Sequence, residues 1–130
     1  MSKVACLVHN DGATLSWAIT VMKAHGPRAE YYRTITWSTF KAWCNQVDKR
    51  PQIVIVYAFL IQDYLEDFKA WIDEFSSTSV IVVGYGDIAH YQLGKLPKEV
   101  KYIDLMENSH EPGAEFLAIA LQKELRRLGL

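Results

Sequence analysis

The side chains that could do chemistry in this chain of 130 residues are few and scattered. Its four histidines are His9, His25, His90 and His110, and no two stand at an HExxH or other metal-binding spacing. Cys6 and Cys44 form no CxxC pair. Each falls inside a run that reads as regular structure, so both are expected to be buried, reduced thiols, as in a cytosolic protein. Ser16 and Ser38 lie outside any GxSxG turn between a strand and a helix, and no cysteine ends a strand as a nucleophile would. No catalytic constellation emerges, so no enzymatic activity, resident metal or cofactor is expected. Asp63, Glu66, Asp67, Asp73 and Glu74 share one helical pattern and read as its solvated face. "GYGD", Gly84 to Asp87, is too short for a phosphate-binding P-loop and lacks the Lys-Ser/Thr pair; it reads as a glycine turn before a helix cap.

The elements that must position these groups alternate along the chain. "VACLV" (Val4 to Val8) is a buried-strand run. The helix that follows places Leu15, Ala18, Ile19 and Met22 at helical spacing, with Asp11 as N-cap, and ends at Gly26-Pro27. Ala29 to Thr36 reads as a strand nearer the sheet edge. "STFKAWCNQV" puts Phe40, Trp43, Cys44 and Val47 on one stripe, with Ser38 or Thr39 as its cap. "QIVIVYAFL" after Pro51 is the most apolar strand and the expected sheet centre. "DYLEDFKAWIDEF" then aligns Tyr64, Leu65, Phe68, Trp71, Ile72 and Phe75 on one face.

"SVIVVGYGD" is a fourth strand, "IAHYQLGKLP" a short helix or irregular connection, and "VKYIDL" a fifth strand. The last helix has Pro112 near its start and a buried stripe of Leu117, Leu121, Leu125 and Leu128. Five strands read as buried on both faces require parallel pairing, with helices covering both sides. The expected architecture is therefore a single α/β domain over residues 1–130. It is a three-layer α-β-α sandwich on a five-stranded parallel sheet, in the flavodoxin-like order 2-1-3-4-5.

In such a sheet, ligands and reactive groups collect at the carboxyl ends of the strands. Those positions are His9, Asn10, Asp11 and Gly12; Thr36 and Trp37; Tyr57, Ala58 and Phe59; Gly84 to Asp87; and Leu105 to Asn108. With these residues in view, the whole chain resembles a response-regulator receiver domain, of the CheY-like type. The resemblance implies two acids after strand 1 holding Mg²⁺, an aspartate ending strand 3 that accepts phosphate, a Ser or Thr ending strand 4, and a lysine after strand 5. Here the acidic pair falls on His9 and Asn10, with Asp11 one place late. The acceptor position falls on Tyr57, the hydroxyl position on Gly84, and the lysine position on Leu105 or Met106. Mg²⁺ wants several hard oxygen ligands, and a tyrosine hydroxyl is a poor phosphate acceptor. The resemblance thus implies a pseudo-receiver whose degenerate pocket is His9, Asn10, Asp11, Tyr57 and Gly84.

Two alternatives stay open. His9 before Gly12 and a helix is similar to the phosphohistidine site of mannose-type phosphotransferase A domains, which have a glycine where Asn10 stands and a "GGSP"-type turn after strand 3. A flavodoxin-like flavin or nucleotide site could use Trp37 and Tyr85 as stacking partners, although "HNDGAT" is poor in the hydroxyls and glycines that such a site wants.

Composition leaves contacts as the expected mode of action. Charges nearly balance, at a net −1, with no Lys/Arg run, so no nucleic-acid partner is expected; "KELRR" (Lys123 to Arg127) complements the dipole of the last helix. No apolar stretch approaches the roughly 20 residues of a membrane span, and the amino-terminal run lacks a signal-cleavage pattern. Four Trp, seven Tyr and five Phe are more than the core stripes use. Trp17, Tyr31, Tyr32, Trp37, Tyr85, Tyr91 and Tyr102 fall off those stripes, which favours a protein partner or a second copy. By the same resemblance, partners dock on helix 4, strand 5 and helix 5, which places His90, Tyr91, Lys95 and Tyr102 on the docking face.

Overall fold

The computed structural model describes residues 3–8, 13–25, 29–46, 50–74, 77–84, 100–104 and 114–129. Five strands, β1 (Lys3–Leu7), β2 (Glu30–Thr34), β3 (Ile53–Tyr57), β4 (Ser79–Gly84) and β5 (Lys101–Asp104), form one parallel sheet in the order β2-β1-β3-β4-β5. The helices are α1 (Ala13–His25), α2 (Trp37–Cys44), the single turn α3 (Ala58–Ile61), α4 (Leu65–Glu74) and α5 (Ala114–Arg127), with a 3-10 turn over Gln62–Tyr64. The order expected from the alternation of strands and helices is the order found.

Strand alternation divides the core in two. Val4, Cys6, Val8, Ile53, Ile55, Ile81 and Val83 face one side, where Leu15, Ala18, Ile19 and Met22 of α1 and Leu117, Leu121 and Leu125 of α5 cover them. Ala5, Leu7, Val54, Val56, Val80 and Val82 face the other, under Phe40 and Cys44 of α2, Ile61 of α3, and Phe68 and Trp71 of α4. The aliphatic residues of β1, β3 and β4 are buried on both faces, the condition that makes parallel pairing stable only beneath two helical layers. At the edge, β2 has the mixed pattern of a strand with one solvated flank.

Several local expectations are corrected. The second strand ends at Thr34, two residues short of the expected Thr36. Thr36 is itself the N-cap of α2: its backbone is extended and its hydroxyl accepts from the Thr39 N–H at 3.2 Å, so neither Ser38 nor Thr39 is the cap. Starting the helix there turns Trp37 inward, and it is only 6% exposed, packed with Phe40, Phe68 and Trp71 rather than offered to a partner. Tyr64, expected on the buried stripe, is 50% exposed, because the 3-10 turn rotates it away before α4 begins at Leu65. Tyr31 is half-buried against the α1/α5 layer, and Tyr32 stacks on Trp43 with ring centroids 4.2 Å apart and planes 1° from parallel. Trp17 is exposed, as its position off the stripe implies. The expected cap at Asp11, and Val47, Phe75 and Pro112, lie outside the described residues.

Candidate functional site

The carboxyl ends of β3 and β4 lie side by side at the centre of the sheet, with Tyr57 in register with Val83, and Gly84 with Asp104. No loop follows β3: Tyr57 ends the strand and Ala58 begins α3. Alternation therefore sends successive side chains to opposite layers. Tyr57 packs, half-buried, against the α1/α5 core, whereas Ala58 is buried in the α2/α4 core.

Gly84 belongs to the same side as Ala58. A Cβ on Gly84 would come within 2.7 Å of the Tyr102 hydroxyl oxygen, 3.2 Å of its ring carbon Cε2 and 3.0 Å of the Ala58 Cβ. Real side chains essentially never approach this closely, so glycine here is a packing requirement imposed by the Tyr102 ring. Tyr57 and Gly84, both assigned by resemblance to one pocket, are placed on opposite faces of the sheet. Tyr102, assigned to a docking face, packs against the α2/α4 core from β5. His9, Asn10 and Asp11 of the expected pocket, and His90, Tyr91 and Lys95 of the expected docking face, lie outside the described residues.

The best-defined polar arrangement stands at the end of β2 and was not anticipated. Asp67, expected only as part of a solvated face, accepts from the Trp37 indole N–H at 2.5 Å and from the Lys41 ammonium at 2.8 Å. Those two hydrogen bonds hold its carboxyl below the ordinary range. Thr36 donates its hydroxyl hydrogen to Thr39 Oγ1 at 2.7 Å beside it. One carboxylate thus ties the first turns of α2 to α4. Trp37 and Lys41 are four residues apart on one helix, and Asp67 directly precedes the buried Phe68, but nothing in the sequence brings the two helices together. A carboxylate already engaged by an ammonium and an indole N–H is suited to clamping two helices, and among the described residues no His or Cys is bonded to it.

Both cysteines are buried, and burial pushes each thiol up to about 12, that of Cys6 despite the opposing charges of Lys23 and Arg33. Thiols so placed are poor nucleophiles. Among the described residues, no three His, Cys, Asp or Glu side chains gather where they could hold a metal ion. Nor is any described helix long and apolar enough to cross a membrane.

No protein-family model matches this chain, and no curated protein matches it at a significant level.

Proposed function

We propose that this chain is a receiver-like regulatory module that acts through protein contacts and does not take up phosphate. The observation that supports the reading is Tyr57. It ends the central strand β3, where the resemblance puts a phosphoacceptor carboxylate, and its ring is packed against the α1/α5 layer. A phenol offers no ionised oxygen near neutral pH, whereas Mg²⁺ and phosphate chemistry at this position would call on a hard, charged oxygen ligand. Gly84, at the hydroxyl position of the resemblance, brings no side chain of its own, and a Cβ there would meet Tyr102. With the reactive position filled by an aromatic ring, conformational or partner-binding roles remain for the scaffold.

The direct test is titration of the protein with Mg²⁺ and beryllofluoride, followed by two-dimensional NMR. Unchanged backbone resonances at Val56, Tyr57 and Val83 support the proposal. Saturable, Mg²⁺-dependent shifts centred on those residues would overturn it.

A further inference from the structure

The two helical layers carry opposite charge. In α1 and α5 the sequence places four cations against two carboxylates; in α2 and the stretch from α3 to α4 it places two cations against five carboxylates. Internal pairing leaves this asymmetry in place. Arg127 is engaged by Glu124, Lys41 by Asp67 and Lys69 by Glu66. Among the described side chains, that leaves Lys23, Lys123 and Arg126 exposed on one layer, and Asp63, Asp73 and Glu74 exposed on the other.

Each layer also exposes large apolar surface. Ser16 of α1 points towards β2, where its Oγ accepts from Arg33 at 2.6 Å. Trp17, about 100° further round the helix, therefore faces outward on the shoulder away from the β2 edge, towards α5 on the same sheet face. It is 58% exposed, as is Ile119 of α5. Tyr64 is the exposed counterpart on the acidic layer. Exposed aromatics beside unpaired charge are the ingredients of a binding surface rather than of a simple solvated face.

The two layers cover opposite faces of one sheet, so they cannot meet within one molecule. From this geometry we infer that copies of the chain associate head to tail, the Trp17/Ile119 face of one copy on the acidic α4 face of the next. Such a contact is heterologous: each copy keeps one free face of each kind, so the assembly grows into a ring or a filament rather than stopping at two. Attraction between exposed charges is screened over about 8 Å at physiological salt, so assembly is strongest at low ionic strength. This inference deepens the contact-based reading above by naming a partner. A chain that stays monomeric would remove the inference while leaving that reading, with a different partner, in place.

The experiment is sedimentation velocity of the full chain and of two charge-reversed variants, K123E/R126E and D73K/E74K. All four substituted residues are exposed, and matching urea midpoints confirm that the folds are intact. Wild type is expected to show a mass that rises with concentration past two copies at low salt and returns to one copy at high salt. Each variant alone is expected to be monomeric, because its two faces now carry the same sign. An equimolar mixture of the variants is expected to regain growth past two copies in alternating order, since each face of one variant is now complementary in charge to a face of the other. Wild type that stays monomeric or stops at two copies, variants that assemble as wild type does, or a mixture that stays monomeric would each overturn the inference.

Discussion

The ring of Tyr102 on β5 lies so close over Gly84 on β4 that a methyl group added to Gly84 would sit 2.7 Å from the Tyr102 hydroxyl oxygen. The contact lies at the carboxyl end of the β4–β5 ladder, where Gly84 is in register with Asp104. It also sets the identity of Gly84 by steric fit.

Gly84→Ala is expected to destabilise the fold by about 1–3 kcal/mol through overpacking. The hydroxyl makes the nearest contact, so the same change in a Tyr102→Phe background is expected to cost less. Ala58 Cβ and the ring edge stay in place, so part of the penalty persists. Urea unfolding of the four proteins in a double-mutant cycle checks this, and strict additivity would show that the two residues do not press on one another.

Trp71→Ala is expected to cost about 3–5 kcal/mol, because the indole is buried among Trp37, Phe40 and Phe68 and its loss leaves a cavity between α4 and the sheet. Trp17→Ala, at an exposed position of α1, is expected to change stability by less than about 0.5 kcal/mol. Chemical denaturation followed by far-ultraviolet circular dichroism separates the two. At high salt, where the chain is expected to be a single copy, a large cost at Trp17 would mean that it is covered within the molecule.

The clamp at Asp67 has a pH signature. Its folded-state pKa is depressed, chiefly by the hydrogen bond from Lys41 and then by that from Trp37. The stabilisation is therefore present above the unfolded value of 3.8 and is lost as the pH falls through the lower folded value. Asp67→Asn is expected to lower stability near neutrality and to flatten its decline in acid. Thermal melts from pH 7 to pH 2 on both proteins measure this, and parallel curves would rule out the linkage.

Cys6 and Cys44 are expected to resist thiol reagents in the native protein and to react only on unfolding, since burial raises each to about 12. The unfolded chain releases these protons from its ordinary value of 9.0, so stability falls as the pH rises from 9.0 towards 12. An aromatic disulfide reagent at pH 8, with and without denaturant, reads the number of accessible thiols. Rapid modification of either cysteine in the folded state would contradict the burial.

The strand order was legible because hydrophobic runs such as Val4 to Val8 and Ile53 to Val56 admit little besides a doubly covered parallel strand. The helical stripes at Leu15-Ala18-Ile19-Met22 and Leu117-Leu121-Leu125 were legible for the same reason: spacing alone determines which face is buried. Trp37 was misplaced because the start of α2 depends on which of three neighbouring hydroxyl residues caps it, and a shift of two residues turns an exposed position inward. Tyr64 was misplaced because a 3-10 turn breaks the phase of a pattern that looks continuous in sequence. The clamp at Asp67 joins residues thirty apart in the chain, and periodicity carries no information about contacts of that range. The closeness of Tyr102 to Gly84 was hidden likewise, as it depends on the pairing of β4 with β5.

The direct passage from Tyr57 into the helical turn at Ala58 limits how this chain can be lengthened. A surface loop in general can absorb an inserted residue, but at this junction there is none to take up the slack. One added residue there must either push the strand along its neighbours, exchanging the side chains on its two faces, or rotate the Ala58–Ile61 turn away from its seat. Length variation, whether arising by mutation or introduced by grafting, is thus expected to be rejected at this junction.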